Sequence, residues 1–157
     1  MLNDGKLAFM VHIIDTSYLA VHNLKREKDY HPINFVEKDM NTGTVKSGFT
    51  GMVIGFGETG RDAFRFLYEF SSFTKDDQGN PSAKKIHIID KDIDELKADF
   101  LTEAPALKNK SEIDWWTGQS THSAAFWDKL ETIIQDLNYI VISIKDDEEA
   151  VGIATSI

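Results

Sequence analysis

The sequence predicts an α/β protein built on a doubly wound, mostly parallel sheet, and three observations predict it. After residue 50, short apolar strand-forming runs alternate four times with segments of helical periodicity. Such alternation favours parallel strands joined by right-handed helical crossovers. A glycine pattern, Gly55-Phe56-Gly57-Glu58-Thr59-Gly60, stands where the first of those strands meets its helix. The length, 157 residues, is about one domain's worth and is enough to bury a sizeable core.

Leu7 to Ile14 is a short apolar run rich in strand formers, and Asp15-Thr16-Ser17 supplies capping groups for a helix to about Arg26. Lys25 to Pro32 is polar, and Phe35 to Lys46 carries Asn41-Thr42-Gly43 between two short alternating stretches, which reads as a hairpin or an extended linker. Residues 1–47 are thus expected to form a strand-helix-hairpin extension, or the remnant of a preceding unit, ahead of a domain over 48–157.

Within that domain, Gly51 to Ile54 is a buried-strand pattern, and Ala63, Phe66, Leu67 and Phe70 lie on one helical face. Thr74 to Ala83 is a polar, turn-forming excursion, and Lys85 to Asp90 is the second strand. Ile93, Leu96 and Phe100 mark a helix that stops by Pro105, because proline lacks an amide proton and collides with the preceding turn. Glu112 to Trp116 reads as a short third strand. The helix after Ser120-Thr121 carries Phe126, Leu130, Ile133, Ile134 and Leu137 on one stripe. Tyr139 to Ile144 is apolar enough for a fourth strand covered on both faces. Asp146-Asp147-Glu148-Glu149 opens a last helix, its acids facing the positive helix end, with Ala150, Val151 and Ala154 expected inward. No glycine, asparagine or basic residue closes that helix, so the natural protein is expected to continue.

The chemistry concentrates at the glycine pattern. Gly55 permits the tight strand-to-helix turn, Gly57 lets backbone approach a pyrophosphate with no Cβ between, and Gly60 allows close helix packing. Amides at the helix start then hold phosphate. Asp90, ending the second strand, can accept both hydroxyls of an adenosine ribose. It stands 30 positions after Gly60 rather than the usual ~20, and the ten residues of the Thr74–Ala83 excursion account for the excess. A carboxylate there repels a 2′-phosphate and favours NAD over NADP, with Lys91 beside it moderating the preference. The competing reading is that Asp90, with Asp92, caps the following helix. Together these features describe a Rossmann-like nucleotide-binding domain.

Composition narrows the rest. The net charge of −9 opposes non-specific attraction to nucleic acid and anionic membranes. The absence of cysteine removes disulfides, Cys-ligated zinc, iron–sulfur clusters and thiolate catalysis, and suits a reducing, cytoplasmic setting. No apolar run approaches the ~20 residues of a membrane helix, so no direct membrane insertion is expected. The histidines His12, His22, His31, His87 and His122 show no metal-ligand spacing. Trp115 and Trp116 can stack on an adenine, though rings of that size usually fill cores. The Asp146–Glu149 run can hold a divalent cation or serve as a solvated helix start, the second being the commoner arrangement.

Gly55 to Gly60 after Met52-Val53-Ile54, then Ile88-Ile89-Asp90-Lys91-Asp92, then Tyr139 to Ile144 followed by the acidic run, resembles the N-terminal domain of TrkA-type potassium-uptake regulators, the RCK domains. The likeness covers about residues 48–157. It implies binding of NAD(H), ATP, ADP or a related adenine nucleotide, dimerisation, and transmission of the binding event to an ion-conducting membrane protein. It places Gly55, Gly57 and Gly60 at the phosphates, Phe56, Glu58 and Thr59 in the loop, and Asp90 with Lys91 at the ribose. Gln119 stands near the adenine, where the family commonly has an acid after a glycine. The expectation is a regulatory domain rather than a catalyst. The alternatives are the cofactor-binding half of an NAD-dependent oxidoreductase, which lacks a Tyr-x-x-x-Lys pair here, and an S-adenosylmethionine methyltransferase, which normally carries an acid where Val53-Ile54 stand.

Overall fold

The computed structural model describes residues 16–157, so the strand expected over 7–14 and His12 lie outside the described residues. Nine regular elements follow in order: α1 (Thr16–Arg26), β1 (Phe49–Ile54), α2 (Glu58–Phe70), β2 (Lys84–Ile89), α3 (Ile93–Glu103), β3 (Ile113–Trp115), α4 (Ala124–Ile133), β4 (Tyr139–Ile142) and α5 (Asp147–Ser156). The four strands form one parallel sheet in the order β3-β2-β1-β4. β1 and β2 pair over six residues each, from Phe49 opposite Lys84 to Ile54 opposite Ile89. The fold is therefore Rossmann-like and doubly wound.

Alternation along the strands divides the core in two. Phe49, Val53, Ile86, Ile88 and Ile113 face a front layer with Phe64, Phe66 and Leu67 of α2, Phe100 of α3 and Val21 of α1. Met52, Ile54 and Ile89 face a back layer with Phe126 and Leu130 of α4 and Ile153 of α5. Successive strand residues point to opposite faces, so strands buried on both sides need unbroken apolar runs. Those runs are what made the strands readable.

Residues 16–47 share the front core through Val21, Val36 and Val45. Lys38 and Val45 form an antiparallel bridge around a turn whose Gly43 has φ +73°, so the hairpin reading of this stretch holds over the linker reading. Asn138 fastens the segment to the sheet: its side-chain nitrogen donates to the Phe35 carbonyl at 3.0 Å, and its oxygen accepts from the Thr50 amide at 2.8 Å. The polar excursion after α2 closes by its own bridge, Thr74 with Pro81, and Asp76 accepts from the amides of Gln78 and Asn80. The bond from the Asn80 side-chain amide to Asp76 Oδ2 at 2.8 Å, ahead of these backbone bonds, holds the Asp76 carboxyl below its ordinary range. The excursion enters β2 beside the first residue of β1, where the Phe49 amide donates to Ala83. It therefore lengthens the chain at the end of the sheet away from the glycine pattern.

Three expectations need correction. The stripe drawn as one helix to Leu137 is α4 to Ile133, then a 3-10 turn over Ile134–Asp136, with Leu137 already extended. The chain has to leave the helix there to bring Asn138 onto the Thr50 carbonyl at the start of β4. β4 is half-buried along its length rather than covered on both faces, because it is the last strand of the sheet among the described residues. In α5 the inward residue is Ile153, while Val151 is 62% exposed and Ala154 is exposed. The larger aliphatic side chain takes the buried position, and the helix is turned accordingly.

Candidate functional site

β1 ends at Ile54 and the chain turns through Gly55, which has φ +90°, into α2. A Cβ on Gly55 would run into the Ser143 carbonyl at the end of β4, and one on Gly60 would run into the carbonyl of Gly55. These two glycines are demanded by the fold itself. Gly57 differs: it is the N-cap of α2 with φ −65° and ψ −165°, a conformation open to any residue, and nothing stands within 4 Å of where its Cβ would be. Gly57 is exposed and, with Gly55, lines a cavity of about 520 Å³. As N-cap, Gly57 offers no side chain to the first amides of α2, which a helix cannot satisfy internally.

Asp90 follows directly on β2, the neighbour of β1, and lines the same cavity. Its Oδ2 accepts from the Phe56 amide at 2.7 Å and its Oδ1 from the Asp92 amide at 2.9 Å. Phe56 and Asp90, 34 positions apart, are thus joined at one site. The capping reading is not realised, since the N-cap of α3 is Asp92 and no side chain caps that helix; the second bond instead braces the turn ahead of α3. A carboxylate has about four lone-pair sites, so two amide bonds leave acceptors for a ligand's hydroxyls.

Gly55, Gly57, Asp90 and Lys91 line the cavity. Phe56, Glu58, Thr59, Gly60 and Gln119 do not. The Phe56 side chain is fully buried in the front core against Phe64, Phe100 and Trp115, so this residue contributes its backbone alone. Glu58 is exposed and Thr59 partly so. Gln119 precedes the lining residue Ser120 in the chain, and its Oε1 is buried with no hydrogen-bond partner in the chain. Trp115 belongs to the front core and Trp116, 1% exposed, to the back core, so the tryptophans are packing residues.

The opposite wall was not legible as part of the site. It is built by the turn before α4, Ser120, Thr121 and His122, by Ser143 to Asp146 after β4, and by Glu149 of α5. Glu149 Oε1 accepts from the Thr121 hydroxyl at 2.9 Å and lies 3.2 Å from His122 Nε2. The signal available was positional: ligands of open α/β sheets bind outside the carboxyl ends of the strands, and these residues follow β3 and β4.

A second titratable group lies behind the sheet, away from the cavity. His87 Nδ1 donates to Asp114 Oδ2 at 2.9 Å, and Trp116 Nε1 donates to the same oxygen at 2.9 Å. Burial holds the His87 imidazole below its ordinary pKa of 6.5, outweighing the attraction of Asp114. For Asp114, burial opposes the charge, but the bonds from His87 and Trp116 outweigh it and hold the carboxyl low. At the opposite end of the sheet, burial and Glu112 push the Tyr68 hydroxyl up to about 12.

Compared with protein-family models, curated proteins and solved structures, the chain matches none. Among the described residues, no helix is long and apolar enough to cross a membrane.

Proposed function

We propose that residues 48–157 form a regulatory domain that binds an adenine dinucleotide, NAD(H) in preference to ATP or ADP. The observation that carries this reading is Gly57. Two glycines of the pattern are demanded by contacts with backbone, whereas at the third no atom of the chain would meet a Cβ, and this N-cap residue lines a cavity shared with Asp90. A diphosphate accounts for it, because amides at a helix start attract an anion only where backbone is free to approach. Gly55 and Gly57 hold the phosphates and Asp90 the adenosine ribose. The Oε1 of Gln119, buried without a partner beside the lining residue Ser120 in sequence, is an acceptor of the kind an adenine amino group needs.

The resemblance to TrkA-type regulators extends the reading to a homodimer whose ligand biases two arrangements, with a potassium-conducting membrane protein as the listening partner. One observation favours the alternative of an oxidoreductase's cofactor half: His122 and Glu149 form an imidazole–carboxylate pair on the cavity wall. Thermal unfolding with NAD⁺, NADH, NADP⁺, ATP, ADP and S-adenosylmethionine tests the proposal, since a ligand selective for the native state raises its stability. Stabilisation by NAD(H) without turnover supports it. Reduction of bound NAD⁺ by an added alcohol or hydroxy acid would transfer the case to the oxidoreductase, and stabilisation by S-adenosylmethionine alone would refute both.

A further inference from the structure

A second cavity, of about 460 Å³, lies at the far end of the sheet, where α2 stops and β2 begins. Its two charged lining residues carry opposite signs: Lys84, the first residue of β2, and Glu112, which directly precedes β3. Both lean on Tyr68 of α2. The Lys84 ammonium stands 3.8 Å from the centre of the Tyr68 ring, and the Tyr68 hydroxyl donates to Glu112 Oε1 at 2.8 Å. Lys84 Nζ also donates to the Tyr68 carbonyl at 2.8 Å and to the Ser72 hydroxyl at 3.0 Å, which engages two of its three N–H groups. Among the described residues, Lys84 and Glu112 sense each other's charge without closing into an ion pair. Burial holds the Lys84 ammonium below its ordinary pKa of 10.5, and Glu112 offsets this only in part. Ser71 lines the same cavity at 2% exposure, and its hydroxyl is buried with no partner in the chain. A buried hydroxyl left unpaired costs free energy and calls for a reason.

We propose that this cavity binds a small zwitterion, a free α-amino acid, whose carboxylate meets the Lys84 ammonium and whose ammonium meets the Glu112 carboxylate, with the Ser71 hydroxyl as a further hydrogen-bonding partner. Two opposite wall charges that do not pair with each other are complementary to a ligand carrying both signs on neighbouring atoms. A simple anion is repelled by Glu112 and a simple cation by Lys84, whereas a zwitterion satisfies both. The volume lies in the range of small-molecule sites, roughly 300–1,000 Å³. The site is independent of the nucleotide reading, because the 13 residues of α2, roughly 20 Å of helix, separate Ser71 from the glycine turn.

Thermal unfolding of the chain with each of the common L-amino acids at millimolar concentration, then calorimetry with the one that stabilises most, tests this. Its N-acetyl derivative, which lacks the ammonium, and its carboxamide, which lacks the carboxylate, should each bind about tenfold more weakly or worse, the loss expected for one charge-assisted hydrogen bond. Glu112→Gln keeps an acceptor for the Tyr68 hydroxyl; it should weaken the amino acid by a similar factor and leave the affinity for the N-acetyl derivative unchanged. Ser71→Ala removes an unsatisfied group, so it should be at least as stable as wild type while binding the amino acid roughly twofold to tenfold more weakly. The comparison of derivatives needs no variant. Stabilisation by none of the amino acids, equal binding of either derivative, an affinity unchanged in Glu112→Gln, or tighter binding of inorganic phosphate than of any amino acid would overturn the inference. Each of these results is read without nucleotide and leaves the glycine-turn site untouched.

Discussion

Replacing Gly57 by alanine separates a glycine kept for the fold from one kept for a ligand. At φ −65° and ψ −165° alanine fits without strain, and its Cβ meets no atom within 4 Å. Two small effects then oppose each other. Alanine restricts the unfolded chain, a gain of about 0.4–1 kcal/mol, but it is a poorer N-cap than glycine by a comparable amount. The net change in stability is close to zero. The same substitution at Gly60 drives a Cβ into the Gly55 carbonyl, a backbone atom that cannot move without shifting β1 or α2. Forced overpacking costs about 1–3 kcal/mol or more, which at ~2–4 °C per kcal/mol for a chain of this size lowers Tm by roughly 2–12 °C. Binding should behave in the opposite way at Gly57. A methyl group between phosphate and amides removes at least one charge-assisted hydrogen bond, worth about 1.5–3 kcal/mol, so NAD⁺ affinity falls on the order of tenfold to a hundredfold. Thermal unfolding of both variants, with and without NAD⁺, reads the two effects together. The reasoning is refuted if Gly57→Ala keeps the full ligand-induced rise in Tm, or if it destabilises the chain as much as Gly60→Ala.

Three other perturbations follow from the same structure. Asp90→Ala leaves the Phe56 amide without its 2.7 Å acceptor, at a cost of about 1–3 kcal/mol, whereas Asp90→Asn retains an acceptor oxygen and should be nearly as stable as wild type yet bind NAD⁺ more weakly; denaturant unfolding and calorimetry compare them. Because folding lowers the pKa of His87, the unfolded chain binds more protons just below pH 6.5, so stability present above 6.5 is lost as pH falls below it. Tm measured from pH 8 to pH 5 should show this loss, and His87→Gln should remove it from that interval; Asp114, also held low, acts only below 3.8. Phe100→Ala opens a cavity among Phe56, Phe64 and Trp115 and should cost about 3–5 kcal/mol in a chemical-denaturation experiment, with no change in which nucleotides bind.

How much of this was readable depended on whether a residue's role is local. The strands β1 and β2 announce themselves because burial on both faces calls for mostly apolar runs, and the Gly55–Gly60 turn because backbone sterics leave few alternatives. The link between Phe56 and Asp90 survived an irregular spacing because the inserted residues fold back at the far end of the sheet. Roles set by tertiary packing were not readable. Phe56 sits between two glycines in a loop pattern that suggests exposure, yet its ring is wholly buried against Phe100 and Trp115. Thr121, His122 and Glu149 come together from a turn and a helix that share no periodicity, so no local pattern marks them as one wall. The facing of α5 was misjudged because two alanines and a valine outnumber one isoleucine in sequence but not in burial.

The central claim is that a diphosphate sits on the amides at the start of α2, opposite Asp90, and backbone amide resonances measured with and without saturating NAD⁺ test it most directly. The account predicts that the largest shifts fall on Gly55 to Gly60 and on Asp90 to Asp92, with those amides also becoming slower to exchange with solvent. Shifts confined to other surfaces, or a spectrum unchanged by any adenine nucleotide, would contradict it.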